Sequence, residues 1–189
     1  MEALVISTLV VALGEIGDKT QLLSLLLAAR FQRPVPIILG ILSATLANHL
    51  LAGFVGEWVR NAISPDVLRL VLGGSFLALA AWTLVPDKMD DHRAPQGHYG
   101  VFLVTLLTFF LAEMGDKTQV ATVMLAARYH ALGMVVAGTT LGMMIADVPA
   151  VLLGKVAAPK IPFKMVRLIA AVLFALLGMG VLLGLGSFA

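Results

Sequence analysis

The residues Glu15-Ile16-Gly17-Asp18-Lys19-Thr20-Gln21 set two carboxylates and one ammonium inside a long apolar run. The same order returns 98 positions later as Glu113-Met114-Gly115-Asp116-Lys117-Thr118-Gln119, again within an apolar run. In a continuous helix, side chains three apart share a face, which would put Glu15 beside Asp18 and Glu113 beside Asp116. Carboxylate oxygens in a chain with no cysteine suit a hard cation such as Ca²⁺, Mn²⁺ or Mg²⁺. Thr20, Gln21, Thr118 and Gln119 offer neutral oxygens in support, although Thr20 lies five residues from Glu15 and partly off its face. Gly17 and Gly115 weaken the helix between the carboxylates and let backbone or a neighbouring helix approach closely.

An ionisable side chain in a membrane span costs about 2.5–3.5 kcal/mol, so four carboxylates and two lysines need partners or water. Four carboxylates and two ammonium groups sum to −2, which one divalent ion brings to zero. Clustered carboxylates resist simultaneous ionisation, so two protons and one divalent cation can compete for the same oxygens. That competition is the minimal design of an antiporter. Lys19 and Lys117 read as counter-ions for nearby carboxylates; the functional alternative is a tethered cation that occupies the site when the metal is absent. The plainest alternative for the whole motif is a set of salt bridges holding helices in register.

The elements that must position these groups are membrane helices. Apolar residues make up 60% of the 189 positions, charged residues 13%, and mean hydropathy is +0.99, values typical of a bilayer protein rather than a soluble domain. A span needs roughly 20 mostly apolar residues, and such runs fall near 3–29, 36–57, 67–86, 99–127, 131–153 and 165–187. The expected fold is an all-α polytopic membrane protein of six transmembrane helices. The start lacks the basic region of a signal peptide, so the first run is expected to be a retained helix. Absence of cysteine excludes disulfides and thiol chemistry. The net charge of +2 reflects loop arginines and lysines and carries no nucleic-acid signal.

The displacement of 98 extends beyond the motif. Leu22 to Arg30 (LLSLLLAAR) lies over Val120 to Arg128 (VATVMLAAR), Leu68-Arg69-Leu70 over Val166-Arg167-Leu168, and Phe76 over Phe174. The chain therefore divides into a first three-helix repeat at 1–86, a polar Pro- and charge-rich linker at 87–98, and a second repeat at 99–189. Three spans per half is an odd number, so the repeats should have inverted topology, with the motifs meeting at their interface near the midplane. Arg30, Arg33, Lys88, Arg93, Lys155, Lys160, Lys164 and Arg167 fall on one side, and Arg60, Arg69 and Arg128 on the other. The richer side should be cytoplasmic, which puts both termini outside and the linker inside. Trp58, Trp82, Tyr99 and Tyr129 fall near helix ends, where interfacial aromatics belong.

The duplicated motif, and the chain as a whole, resembles a cation/proton exchanger family with a repeated Glu-x-Gly-Asp-Lys/Arg-Thr/Ser signature. That family includes bacterial manganese exporters of the MneA type and Golgi and chloroplast-membrane relatives that move Mn²⁺ and Ca²⁺. Neither motif departs from the signature. The resemblance implies that Glu15, Asp18, Glu113 and Asp116 bind the transported ion, with Lys19, Thr20, Lys117 and Thr118 in support. It implies a multi-pass plasma-membrane exporter of Mn²⁺ or Ca²⁺ that takes protons in return, has no cofactor, and has the lipid bilayer and a divalent ion as partners.

Weaker signals lie outside the motif. Asn48 and His49 in the second run, and Asp147 in the fifth, could serve as an access site or proton relay, since the displacement sets His49 over Asp147. An equally simple reading places each near a helix end facing water or a polar neighbour. Pro149 should loosen the helix beside Asp147 and free backbone carbonyls. Ser43, Thr45, Thr139, Thr140 and Gly142 read as helix-packing residues. Rival functions are a divalent cation channel or uniporter, since acidic rings make cation filters, and an exporter of a cationic organic solute. An intramembrane aspartyl protease using Asp18 and Asp116 fits poorly, because both sit in identical motifs with an adjacent lysine.

Overall fold

The computed structural model describes residues 1–85, 100–153 and 163–184, and every regular element among them is an α-helix. The linker expected at 87–98, together with Tyr99, Lys155 and Lys160, lies outside the described residues. In chain order the helices are α1 (Glu2–Glu15), α2 (Lys19–Phe31), α3 (Pro34–Ala62), α4 (Pro65–Thr83), α5 (Val101–Glu113), α6 (Lys117–Arg128), α7 (Leu132–Leu153) and α8 (Phe163–Leu182). Helices α3, α4, α7 and α8 are long and apolar enough to cross a bilayer, and α5 is a shorter apolar helix.

The first and fourth apolar runs do not form one helix each, contrary to the expectation from sequence. Each splits inside the motif into two helices of 12 to 14 residues. At 1.5 Å per residue these reach about 18–21 Å, well short of a hydrocarbon core of roughly 30 Å. The cause is local. Gly17 and Gly115 hold φ of +84° and +76°, a region that glycine enters freely and that costs a side chain. Ile16 and Met114 before them are extended, as are Asp18 and Asp116 after them. Glu15 and Asp18 therefore do not share a face of one helix: Glu15 ends α1 and Asp18 caps α2. Glu113 and Asp116 are divided in the same way between α5 and α6.

The amide group of Gln21 accepts from Gly17 N–H at 2.9 Å, and that of Gln119 accepts from Gly115 N–H at 2.7 Å. Each glutamine stands three residues past the cap and reaches back over it, a variant of the capping box that satisfies a donor freed by the break.

Helix α1 packs on α7, α3 on α5 and α6, α2 on α7, and α4 on α8. Equivalent contacts recur in the two halves with the displacement of 98. A Cβ added at Gly40 would lie 2.7 Å from Thr105 Cβ, and one at Gly138 would lie 2.9 Å from Ser7 Cβ. Glycine at these positions lets α3 ride on α5, and α7 on α1, at backbone distance. The displaced pair Phe76 and Phe174 stack directly, with ring centroids 6.4 Å apart. Gly142 meets Thr8 O and Val11 in the same way, which bears out its packing role. Pro149 sits inside α7 without ending it.

Large apolar side chains line the outside, and the ionisable groups of the motifs are buried within an otherwise apolar interior. Leu51, Phe54, Leu70, Leu111, Ile145 and Leu176 are each more than half exposed, whereas Glu15, Asp18, Asn48, Glu113, Asp116 and Asp147 are buried. Such an arrangement suits lipid as solvent, with the ionisable groups facing the bundle interior. The packing is also uneven between the halves. α4 contacts α6 and α8 contacts α1, while the displaced pairs α8 with α2 and α4 with α5 make no comparable contact among the described residues.

Candidate metal centre

The two breaks direct the ends of four helices at one place. Helices α1 and α5 end at Glu15 and Glu113, and the carboxylates of Asp18 and Asp116 stand at the N-termini of α2 and α6. Neither aspartate spends its side chain on capping its own helix. Glu15, Asp18 and Asp116 converge, each offering an oxygen within 4.8 Å of the others. All three are buried. Three oxygens at that mutual spacing can share one divalent ion, and their charges repel unless something cationic lies among them.

In this structure the cationic groups are the motif lysines, and they cross between the halves. Lys19 Nζ lies 3.0 Å from Asp116 Oδ1, and Lys117 Nζ lies 3.8 Å from Asp18 Oδ1. Each motif thus supplies the counter-ion for the other motif's aspartate. Glu15 Oε2 accepts a hydrogen bond from Thr20 Oγ1, and Glu15 Oε1 has no hydrogen-bond partner among the described residues. The fifth position after Glu15 is in reach because the chain turns at Gly17 instead of continuing as helix.

Glu113 does not join the three. Its Oε1 accepts from Thr45 Oγ1 at 2.7 Å and its Oε2 from Asn48 Nδ2 at 3.0 Å, and Asn48 Nδ2 also lies 3.0 Å from Phe110 O. Helix α3 therefore engages both oxygens of the second glutamate.

A match to the family model described as divalent cation/proton antiporter GDT1 covers residues 3–91 and 101–186. The chain belongs to the GDT1 family. A protein of Vibrio cholerae named "Putative manganese exporter" is 52% identical over 180 residues, covering 95% of this chain and 90% of that protein. A GDT1-like protein of Synechocystis is 31% identical over 189 residues, covering 89% and 90% of the two chains. GDT1-like protein 3 of Arabidopsis thaliana is 28% identical over 201 residues, covering 92% of this chain and 68% of that one. No solved structure matches the chain. The GDT1 family is a membrane transporter family and not an enzyme class.

The remaining residues expected from sequence divide into those near the centre and those held elsewhere. Thr118 is buried with no hydrogen-bond partner for Oγ1 among the described residues. Gln21 and Gln119 use their amide oxygens on Gly17 and Gly115, and Gln21 Nε2 donates to Ala146 O at 3.0 Å. Their work in this GDT1 chain is to hold the breaks. His49 and Asp147 are not near helix ends facing water. His49 is buried mid-helix in α3 with neither ring nitrogen hydrogen-bonded among the described residues, and Asp147 is fully buried in α7. The 98-residue correspondence does not pair them, since Asp147 Oδ1 accepts from Ser24 Oγ at 2.9 Å.

Two residues of the polar interior escaped the sequence reading. Thr45 reads from sequence as a packing residue, and Ser24 stands in an apolar run without a motif around it. A signal existed for both: Thr45 and Asn48 are three apart, and Thr20 and Ser24 four apart, so each pair presents polar atoms on one helical face.

Proposed function

We propose that this chain exports Mn²⁺ or Ca²⁺ across the bacterial inner membrane in exchange for protons, with the ion held by Glu15, Asp18 and Asp116. The observation that carries this reading is the convergence of three buried carboxylates whose lysine partners come from opposite halves. An arriving ion displaces the ammonium groups from the aspartate oxygens; a departing ion leaves those oxygens to the lysines and to protons. Glu113 is the fourth ligand in this scheme, and it joins when α3 releases it.

We infer further that α1 with α2, and α5 with α6, are two crossings built from half-helices, so that six crossings form two inverted repeats. Reciprocal contacts such as Gly40 with Thr105 and Gly138 with Ser7 support that symmetry. Half-helices meeting at mid-membrane are the usual frame of a transporter site. The basic residues Arg30, Arg33, Lys164 and Arg167 argue that the α2 end of the bundle faces the cytoplasm. A cavity of about 420 Å³ opens at that end beside Ala28, Gln32, Pro34 and Val151, against about 190 Å³ at the opposite end beside Arg60 and Arg128. The unequal cavities and the tighter packing around α6 fit a conformation open inward.

The test is flux of Mn²⁺ and Ca²⁺ in proteoliposomes that carry an internal pH-sensitive dye. Metal movement should drive opposite proton movement and fail in Asp116→Asn and Glu15→Gln. Metal flux without proton movement would make the protein a channel or uniporter, and normal exchange in both variants would remove the assigned site.

A further inference from the structure

Asp147 is a fully buried carboxylate outside the central cluster, and Asp147 Oδ2 has no hydrogen-bond partner among the described residues. Asp18 and Asp116 each have a lysine within ion-pair distance; among the described residues Asp147 has only the Ser24 hydroxyl. Its placement gives that difference a use. Helices α2 and α7 run side by side, so contacts between them climb in step: Gln21 meets Ala146, Ser24 meets Asp147, and Ala28 and Val151 line the larger cavity. Ser24 lies one helical turn from Ala28 and one turn from Thr20, about 6 Å in each direction. Asp147 likewise precedes Val151 by one turn. The pair thus forms the layer between the cavity and the central carboxylates.

We propose that Ser24 and Asp147 form a transit site that takes the divalent cation from the cavity and passes it to Glu15, Asp18 and Asp116. The ion supplies the positive charge that no lysine or arginine among the described residues supplies to Asp147, and Asp147 Oδ2 and the Ser24 hydroxyl supply oxygens suited to Mn²⁺ or Ca²⁺. The route is one-sided. The positions displaced by 98 from Ser24 and Asp147 hold Thr122 and His49, a set without a carboxylate. This inference rests on the antiport reading above.

The experiment compares Asp147→Asn with the unsubstituted protein in proteoliposome exchange and in equilibrium Mn²⁺ binding by calorimetry in detergent. The expected result is a KM for Mn²⁺ raised at least fivefold with the central affinity changed less than twofold. An unchanged KM overturns the transit site, and a matching loss of equilibrium affinity overturns it in favour of a central ligand. Should the Asn variant fail to fold, the cysteine-free sequence allows a second approach. A cysteine at Ala28→Cys, labelled by a cationic thiol reagent, should react more slowly with Mn²⁺ present, and should still do so when Asp116→Asn has disabled the central site. Loss of that protection in the double variant overturns the proposal. Absence of any exchange by the unsubstituted protein sinks the antiport reading itself, whereas normal exchange with an unmoved KM in Asp147→Asn sinks only the transit site.

Discussion

Gly115 isolates the backbone break from every other feature of the centre. Its φ is +76°, and a Cβ added there meets no atom within 4 Å, so the first cost of a side chain at this position is in backbone conformation rather than in a clash of its Cβ. An L-residue held in the left-handed region costs roughly 1–2 kcal/mol; Asn pays less, and a β-branched residue pays most. With each 1.4 kcal/mol worth a factor of about ten, Ala should disfavour the broken geometry by roughly five- to thirty-fold. Competing with it is a helix continuing from α5 into α6, in which Asp116 no longer caps α6 or meets Lys19. The assay is Mn²⁺ exchange in proteoliposomes, with thermal unfolding of the same variants in detergent. Activity and stability should fall in the order Gly, Asn, Ala, Val, with Asn within about threefold of the unsubstituted protein and Val inactive. If Gly115→Val exchanges normally, or Asn is no better than Val, the break does not position the site.

Lys19→Gln leaves Asp116 buried without its 3.0 Å partner, and metal-free stability should drop by about 3 kcal/mol. Mn²⁺ should nevertheless bind more tightly, because no ammonium competes for the same oxygen; calorimetry that shows unchanged affinity would end that competition model. Gln21→Leu removes the acceptor for Gly17 N–H and the tie to Ala146 O, for a loss of about 2–4 kcal/mol. Gln119→Leu loses only an exposed bond to Gly115 that water can replace, so equal falls in melting temperature for the two would contradict the capping account. Arg60 donates to Tyr129 O at 3.1 Å and pairs with Glu57 at 3.2 Å, tying the end of α3 to the end of α6. Arg60→Gln should speed hydrogen exchange in the last turn of α6, and unaltered exchange there would show that the tie holds nothing.

The helical class and the glutamate and aspartate positions were legible because their signals are local: long apolar runs and charges within them. The reach of Thr20 to Glu15 was not, since five residues is the wrong spacing for a helix and the right one only across a break. Gly17 and Gly115 did mark the weak points, but glycine in a membrane helix serves packing as often as it serves a turn, and Gly40, Gly138 and Gly142 are of that kind. Thr45 and Asn48 could be placed on one face of α3, yet which carboxylate that face would meet depends on how α3 crosses α5. Repeat arithmetic misled for His49 and Asp147. It relates positions in the two halves, and it does not say that related positions touch; Phe76 and Phe174 do, and His49 and Asp147 do not pair.

Heptapeptides that differ only at Ile16 and Met114 end in unequal environments, and the helix that follows each broken pair decides which. Thr45 and Asn48 offer Glu113 two donors, while the corresponding positions in α7 are Met143 and Ala146, which have none to offer Glu15. Glu15 accordingly takes its one hydrogen bond from Thr20 in its own half and keeps Oε1 for the cluster with Asp18 and Asp116. Any conformation that brings Glu113 to the ion must break its bonds to α3, each worth about 1.5–3 kcal/mol when the acceptor is charged. A ligand shifts an equilibrium only by its differential affinity for the two states. The ion can therefore drive that change only by binding the rearranged centre more tightly, by at least the worth of those two bonds less whatever partners Thr45 and Asn48 find afterwards. Two symmetric glutamates would carry no such difference, so on the proposed antiport reading the divergence between α3 and α7 is what would set the two glutamates apart as ligands.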